Sequence, residues 1–179
     1  MQIIQRQRHS ADSLIGDQVK SQAIDSLTVF CLGLGASTIA IAAVLARNSP
    51  LPDAAPLLVP GSMGENIATS ELDERDVHLG DVWQLGSALI QVCQPRNPCW
   101  KIDERFGADG MALFIDQHLL TGWYWRVLQT GTVNPNDSLV LHEAASQAPT
   151  LHQAMTLWRE HRPDLDALCQ LAETPGIAQ

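Results

Sequence analysis

A single thiol in a short cationic loop is the part of the sequence best suited to chemistry. Cys99 lies between Arg96 and Lys101, and Pro95 and Pro98 precede it. Each proline fixes φ and removes a backbone donor, so a sheet ladder must stop here and the thiol is held in a defined position. Neighbouring cations favour the thiolate, the form that attacks electrophiles and binds soft metals. We therefore predict that Cys99 is a functional cysteine.

The other three cysteines carry no comparable signal. Cys31, Cys93 and Cys169 form neither a CxxC pair nor a zinc-ligand pattern with histidine, and a disulfide scaffold is not expected. Cys93 falls in an apolar strand and Cys169 in a helical pattern. Both are interpreted as small buried hydrophobic residues.

The strand that leads into the loop is predicted to belong to a β-hairpin. Residues 76–85 alternate apolar and polar side chains, Gly86 and Ser87 supply a turn, and residues 88–93 are mostly apolar. This order is typical of two antiparallel strands joined by a tight turn. The hairpin therefore holds one end of the Cys99 loop in the predicted fold.

A further strand, predicted for residues 122–128, carries Arg126 among aromatic residues. Arg126 can face an anionic ligand or solvent, and its spacing does not decide between them. Before this strand, residues 106–120 have the apolar spacing of a helix. Shorter strands are predicted to begin at Val133 and at Leu139, so the elements around the loop are mainly strands.

The apolar period changes after residue 150. Residues 151–158 and 165–171 predict two short helices, separated by Arg162-Pro163-Asp164. Thr150 and Asp164 are the predicted N-caps, because their side-chain oxygens can accept from first-turn N–H groups. Two short helices bury little by themselves, so they must pack on the strands, on a partner or on a third helix.

Length and charge exclude several classes of protein. The chain has 179 residues, enough for one domain with a small appendage and a buried core. Its 45% hydrophobic and 17% charged content is typical of a globular protein. A net charge of -9 argues against general binding to nucleic acid, because phosphate neutralisation needs clustered lysine and arginine.

An uncharged run at residues 26–46 allows three interpretations. It is long enough to cross a bilayer, but small residues supply much of it and the flanking charges do not orient it. It begins too late in the chain for a signal peptide. As a buried strand and helix it needs no membrane, and we expect no membrane association.

A turn rich in small residues, residues 61–67, carries Glu65 and Asn66 at its tip. One interpretation is a self-contained turn, because asparagine readily pairs with nearby backbone. The other is a loop whose two polar side chains face a ligand. The turn alone favours the first interpretation.

Several separated motifs, taken together, resemble the MOSC domain, which is named after the C-terminal part of molybdenum cofactor sulfurases, and in particular its YiiM-like branch. The resemblance spans about residues 60–141, and the motifs occur in order. They are Gly64-Glu65-Asn66, residues 77–81, Leu89-Ile90-Gln91-Val92, Gln94-Pro95-Arg96 with Pro98-Cys99 and Lys101, and Gly122-Trp123-Tyr124 with Arg126-Val127-Leu128.

The resemblance implies an α+β fold, with a strand-rich MOSC β-barrel, peripheral helices and a short C-terminal helical module. The implied MOSC domain covers residues 1–145. Residues 150–179 are similar to part of the three-helix module that follows MOSC domains in this branch.

The resemblance also implies a site for the molybdenum cofactor, molybdopterin. Cys99 is then the family cysteine, either a molybdenum ligand or a carrier of sulfur, and a soft thiolate suits both roles. The side chains implied to hold the cofactor are Arg96, Lys101 and Arg126 at the pterin phosphate, and Glu65 and Asn66 at the pterin or its loop.

The activity implied by the YiiM-like branch is reduction of N-hydroxylated small molecules, with electrons from a separate redox partner protein. The expected location is the cytoplasm, and a homodimer is one expected state. Two alternatives stay open. One is a sulfur-carrier or cofactor-binding module without turnover, and the other is a degenerate, inactive member.

Residues 21–49 depart from the family pattern. The family places a His-Gly-Gly-Pro-Asp-like motif and a His-Tyr-rich helix between a Gly16-Asp17-type turn and the Gly64-Glu65-Asn66 loop, and this chain has neither. We interpret residues 21–49 as inserted or translated out of frame, which would produce an accidental hydrophobic run. The nucleotide sequence of the gene tests this hypothesis, because an alternative frame should encode the missing motifs.

Overall fold

The chain forms an α+β fold in a computed structural model that describes residues 2–3, 22–23, 30–32, 52–59, 62–63, 65, 67–68, 72–134 and 137–177. Its strands are β1 (Gln2–Ile3), β2 (Gln22–Ala23), β3 (Phe30–Leu32), β4 (Ile67–Ala68), β5 (Val82–Leu85), β6 (Ala88–Pro95), β7 (Trp123–Gln129), β8 (Thr132–Val133) and β9 (Leu139–Glu143). Its helices are a 3-10 helix (Pro52–Leu57), α1 (Lys101–Phe106), α2 (Met111–Gln117), α3 (Leu151–Arg159) and α4 (Leu165–Ala172).

The central element is a five-stranded antiparallel sheet with the order β3, β7, β6, β5, β9. Two further pairs, β1 with β4 and β2 with β8, stand outside it. The α+β class is therefore confirmed. Within the described residues β3 and β9 are open edges, so the sheet is not closed and the β-barrel stays a prediction.

The predicted β-hairpin is confirmed, with β5 and β6 joined at Gly86 and Ser87 and Leu85 paired with Ala88. Gly86 has φ of 58°, and a Cβ there would lie 2.3 Å from the carbonyl oxygen of Thr132. The turn therefore needs glycine both for its left-handed conformation and for its close packing against the start of β8.

The first strand of this hairpin begins at Val82, not at residue 76 as predicted. Residues 77–79 instead meet the segment before α3, where Leu79 N–H donates to Pro149 O at 3.1 Å and Leu151 N–H donates to Val77 O at 2.9 Å. The buried Asp81 carboxylate holds this bend, because it accepts the His78 N–H at 2.8 Å and the Ala145 N–H at 2.7 Å. Long-range hydrogen bonds thus replace the strand that alternation predicts.

The two faces of the sheet differ in polarity. Along β7 the side chains of Trp123, Trp125 and Val127 are buried, whereas Tyr124 and Arg126 are half-buried on the opposite face. The buried face joins the main apolar core, which also includes residues of β5, β6, α3 and α4. Alternation along β7 therefore separates an apolar core face from a polar face.

Residues 106–120 do not form one helix, so that prediction is wrong in extent. The chain folds there as α1 and α2, separated by Gly107 and Gly110, which both have positive φ. Asp103 fixes the break, because its carboxylate accepts the Gly110 N–H at 3.1 Å and the Ala112 N–H at 2.7 Å. The apolar spacing continues across the break because both helices face the same second apolar cluster.

The two C-terminal helices and their caps are confirmed. Thr150 caps α3 in a reciprocal capping box with Gln153, and Asp164 caps α4 by accepting the Ala167 N–H at 2.8 Å. Leu151, Ala154, Met155 and Leu171 lie in the main core with the sheet residues. Of the three packing alternatives, the structure supports packing on the strands.

The turn after α4 lies against the polar face of the sheet. A Cβ on Gly176 would lie 2.6 Å from Cδ of Gln91, and a Cβ on Gly80 would lie 2.5 Å from the carbonyl oxygen of Pro175. Gln91 Nε2 in turn donates to the Gly80 carbonyl at 3.2 Å. The C-terminal turn therefore covers the part of this face that surrounds Gln91.

Two predictions about the N-terminal third concern residues that the structure does not describe in full. In the described ranges, no helix is long and apolar enough to cross a membrane. The uncharged run at residues 26–46 lies outside those ranges except for β3, and residues 21–49 lie outside them except for β2 and β3. The hypothesis of an inserted or out-of-frame segment stays a prediction.

Candidate functional site

The Cys99 loop is fixed at both ends by backbone hydrogen bonds. At its start, β6 ends at Pro95 as predicted, and the Arg96 N–H donates to the Gly122 carbonyl at 2.9 Å. At its end, the Cys99 carbonyl accepts the Ile102 N–H at 2.9 Å, at the start of α1. With Pro98 between these anchors, the thiol sits on a short and restrained loop.

The thiol of Cys99 is free and exposed. Arg96 is half-buried at the start of the loop, and Lys101 is exposed at the start of α1. Trp100 follows the thiol with 61% of its surface exposed, and Lys101 Nζ lies 6.0 Å from the centre of its ring. The arrangement is open to an approaching ligand, as a functional cysteine requires and a packing cysteine does not.

The loop also connects the two apolar cores of the described structure. The strand before it, β6, contributes Ile90 and Val92 to the main core, whereas α1 contributes Ile102 and Phe106 to the second cluster. Both flanking elements are therefore anchored by burial. The loop can therefore expose the Cys99 side chain to solvent, because the burial of its two flanking elements holds it in place.

Glu65 is brought towards α1 rather than left at a remote turn. Its side chain is fully buried and its Oε2 accepts the Met63 N–H at 2.9 Å, while Met63 packs in the same cluster as Ile102 and Phe106. This bond supports the interpretation of a turn that is held by its own hydrogen bonds. Asn66 lies outside the described residues, so its assigned role stays a prediction.

Arg126 lies on the polar face of the sheet, where it pairs with Gln91 across the β6 to β7 ladder. Its charge acts on Cys93, the extra residue of a β-bulge between Val92 and Gln94. Cys93 is 1% exposed and its Sγ lies 3.2 Å from the Tyr124 carbonyl. The structure thus relates Arg126 to the buried thiol of Cys93.

Burial raises the pKa of the Cys93 thiol above its ordinary value of 9.0, and the nearby charge of Arg126 and backbone hydrogen bonds oppose this rise. The unfolded chain therefore loses this proton at lower pH than the folded chain does. It follows that the free energy of unfolding falls as pH rises above about 9. The fall ends at the pH where the thiol of the folded chain has also ionised.

We expect Cys93→Ala to make the fall in unfolding free energy shallower as pH rises from about 9 to about 10, because this change removes the shifted group. Urea denaturation at each pH measures the slope. Cys169→Ala is the control, because Cys169 is exposed in α4 and carries no such burial. An unchanged slope in Cys93→Ala would contradict the assignment.

Of the two cysteines predicted to be buried, the structure confirms one. Cys93 is buried, as predicted, but the prediction that Cys169 is buried is wrong. The helical period of α4 does hold, but the buried stripe falls on Leu171, so Cys169 faces solvent. The side chain of Cys31 lies outside the described residues.

One buried carboxylate near the loop was not predicted from the sequence. Glu74 is 2% exposed, and its Oε1 accepts the Gly122 N–H at 2.7 Å. Gly122 is the residue whose carbonyl receives the Arg96 N–H at the start of the Cys99 loop. No local pattern marks Glu74, because it lies in the polar turn at residues 73–76 and its partner is 48 residues away.

The structure therefore brings some of the predicted site residues together. Arg96, Cys99 and Lys101 share one restrained loop and the first turn of α1, and the Glu65 turn packs beside α1. Arg126 lies on the neighbouring strand β7, on the polar face. In the described ranges, no group of three or more His, Cys, Asp or Glu side chains could hold a metal ion.

The fold and this loop define an α+β protein with a five-stranded antiparallel sheet and an exposed thiol between a strand and a helix. The family model of the MOSC domain matches residues 36–140. The chain belongs to the MOSC domain family.

Relatives of known sequence and structure agree with this family. Protein YiiM of Escherichia coli K12 is 33% identical over 129 residues, which cover 72% of this chain and 57% of that protein. A protein named reductase from Gibberella moniliformis is 30% identical over 131 residues, which cover 73% of this chain and 23% of that protein. The chain thus spans less than two thirds of the length of either relative.

A solved structure matches the fold directly. The crystal structure of Escherichia coli YiiM aligns with a TM-score of 0.72 at 30% identity and covers 79% of this chain and 69% of that chain. The crystal structure of YiiM from Geobacillus stearothermophilus aligns with a TM-score of 0.63 at 36% identity, covering 66% of this chain and 60% of that chain. This chain is a YiiM-like MOSC protein.

Proposed function

We propose that this chain binds the molybdenum cofactor at Cys99 and reduces N-hydroxylated small molecules. The observation that carries the proposal is the exposed thiol on a loop that is restrained at both ends, with Arg96 and Lys101 beside it. Membership of the MOSC family and the reductase name of one relative support a function associated with this cofactor.

The donor set fits the cofactor. A thiolate is a soft ligand that suits molybdenum, and Cys99 is the exposed thiol of the site. A pterin phosphate needs cations or backbone donors, and Arg96 and Lys101 flank the thiol within three residues of it. Arg126 extends the cationic set onto the polar face of the sheet, where it is half-buried.

The protein's part in the reaction is binding and orientation. When bound, the cofactor would supply a two-electron redox centre. The balanced reaction takes an N–OH compound, two electrons and two protons to the N–H compound and water, so the N–O bond breaks and nitrogen is reduced. The electrons come from a separate redox partner protein. Trp100 and Lys101, which follow the thiol, are exposed.

The purified full chain tests the proposal through its molybdenum and pterin content, together with turnover of an N-hydroxylated base in the presence of a reductant. We expect both molybdenum and pterin, and accumulation of the reduced base. A chain that is folded and contains neither would overturn the proposal and favour the degenerate, inactive alternative.

The exposure of Cys99 also favours a second candidate, a sulfur carrier without turnover, because a persulfide needs an accessible thiol. Sulfur bound at Cys99 and released by a thiol reductant, without reduction of an N-hydroxylated base, would select this candidate. The cytoplasm and a homodimer remain the expected location and state for either candidate.

A further inference from the structure

We infer that Glu74 is a positioning residue for the Cys99 loop, an inference whose functional meaning rests on the function proposed above. Its carboxylate is buried and accepts the Gly122 N–H at 2.7 Å. A hydrogen bond between two buried groups is costly to leave unmade, because neither group can pair with water instead. Glu74 therefore fixes Gly122.

Gly122 passes this constraint to the loop. Its carbonyl accepts the Arg96 N–H at 2.9 Å, and it also accepts the Thr121 hydroxyl at 3.0 Å. Gly122 has φ of 72°, a left-handed conformation that few other residues adopt. Hydrogen bonds at both its N–H and its carbonyl restrain the two peptide groups on either side of it. The Arg96 end of the loop is thus linked to Glu74 through Gly122.

Glu74 itself is held by the C-terminal module. Its backbone carbonyl accepts the His152 N–H at 2.8 Å in the first turn of α3. Close by, the Thr121 hydroxyl lies 3.2 Å from Sδ of Met155, which is buried in the same helix. The backbone of Glu74 is therefore anchored to α3, which packs in the main core, and its carboxyl group extends from there to Gly122.

Glu74→Leu is expected to raise the exchange rate of the Arg96 amide at least about tenfold, because the leucine cannot accept from Gly122 and the Arg96 bond loses its support. Glu74→Gln keeps an acceptor oxygen at the same reach and should stay within about twofold of wild type. Amide exchange by NMR on the purified full chain measures these rates. The alkylation rate of Cys99 should differ from that of wild type in Glu74→Leu and match it in Glu74→Gln.

Leu171→Ala is the matched control for general loosening, because Leu171 is an apolar residue of the main core whose side chain takes no part in the hydrogen bonds that link Glu74, Gly122 and Arg96. Equal acceleration of Arg96 exchange in Leu171→Ala and Glu74→Leu, at equal stability, would overturn the inference. Wild-type exchange in a folded Glu74→Leu would overturn it as well.

If Glu74→Leu does not fold, Glu74→Asp tests the positioning role in its place. The aspartate keeps the carboxyl group but is one methylene shorter, so it should not reach the Gly122 N–H. An unchanged Arg96 exchange rate in this variant contradicts the positioning role. Molybdenum content is measured on the same samples. A metal-free wild type with the expected exchange pattern would overturn the proposed function while leaving the positioning role of Glu74 supported.

Discussion

Cys99→Ser is expected to leave the purified chain folded but without molybdenum, and to lower turnover of an N-hydroxylated base by about a hundredfold or more. The serine oxygen is a harder donor atom than the thiolate sulfur, and the hydroxyl is a far weaker acid than the thiol. Serine is therefore a poor ligand for a soft metal. Loss of a second-shell partner already costs up to about a hundredfold in metal sites, and Cys99 is the proposed direct ligand.

The matched control for this change is Cys169→Ser. Cys169 is also free and exposed, but it lies in α4, away from the cationic loop. The control variant should retain wild-type molybdenum content and activity. Equal metal content in Cys99→Ser and wild type, measured by elemental analysis, would remove Cys99 as the ligand and leave the loop's chemistry unexplained.

Trp125→Ala is expected to lower the free energy of unfolding by about 3–5 kcal/mol. The Trp125 side chain is fully buried, and its ring packs edge-on against Trp123 with centroids 5.8 Å apart at an interplanar angle of 62°. The substitution removes a large apolar area and leaves a cavity at the centre of the sheet. Urea denaturation measures the loss.

Trp158→Ala makes the same chemical change where the ring is 49% exposed, in α3. We expect it to cost less than about 1 kcal/mol, because exposed positions seldom cost more. Comparable losses in the two variants would show that the main core is not centred on β7.

Local signals explain why much of the fold was predictable. The hairpin turn at Gly86, the strand end at Pro95 and the caps Thr150 and Asp164 depend on a few neighbouring residues, and the structure confirms each of them. Glycine, proline and capping side chains act over a turn or less, so their effects are readable from the chain alone.

The features that were not predictable depend on distant partners. Alternation predicted a strand from residue 76, but the segment bonds instead to residues 149–151, some seventy positions away. The helix predicted for residues 106–120 covers only Met111–Gln117, because α1 ends at Phe106 and the Asp103 carboxylate accepts two backbone N–H groups at the break between the helices. Glu74 was missed for the same reason, since only its distant partner Gly122 makes it notable.

The candidate site was predictable in type more than in arrangement. The cationic, proline-restrained thiol loop could be read from Pro95 to Lys101, because all its parts are adjacent in sequence. The effect of the Arg126 charge on Cys93 could not be predicted from the sequence, because it depends on the β-bulge at Cys93. The assigned cofactor roles stay predictions for the experiments described above.

The five tryptophans divide in a way that has a spectroscopic consequence. Trp83, Trp123 and Trp125 are buried, whereas Trp100 and Trp158 are exposed. In a chain carrying Trp158→Phe, the remaining solvent-facing indole is the one next to the Cys99 thiol. The long-wavelength part of the intrinsic fluorescence would then come from beside the candidate site, giving an optical signal for ligand arrival that needs no added label.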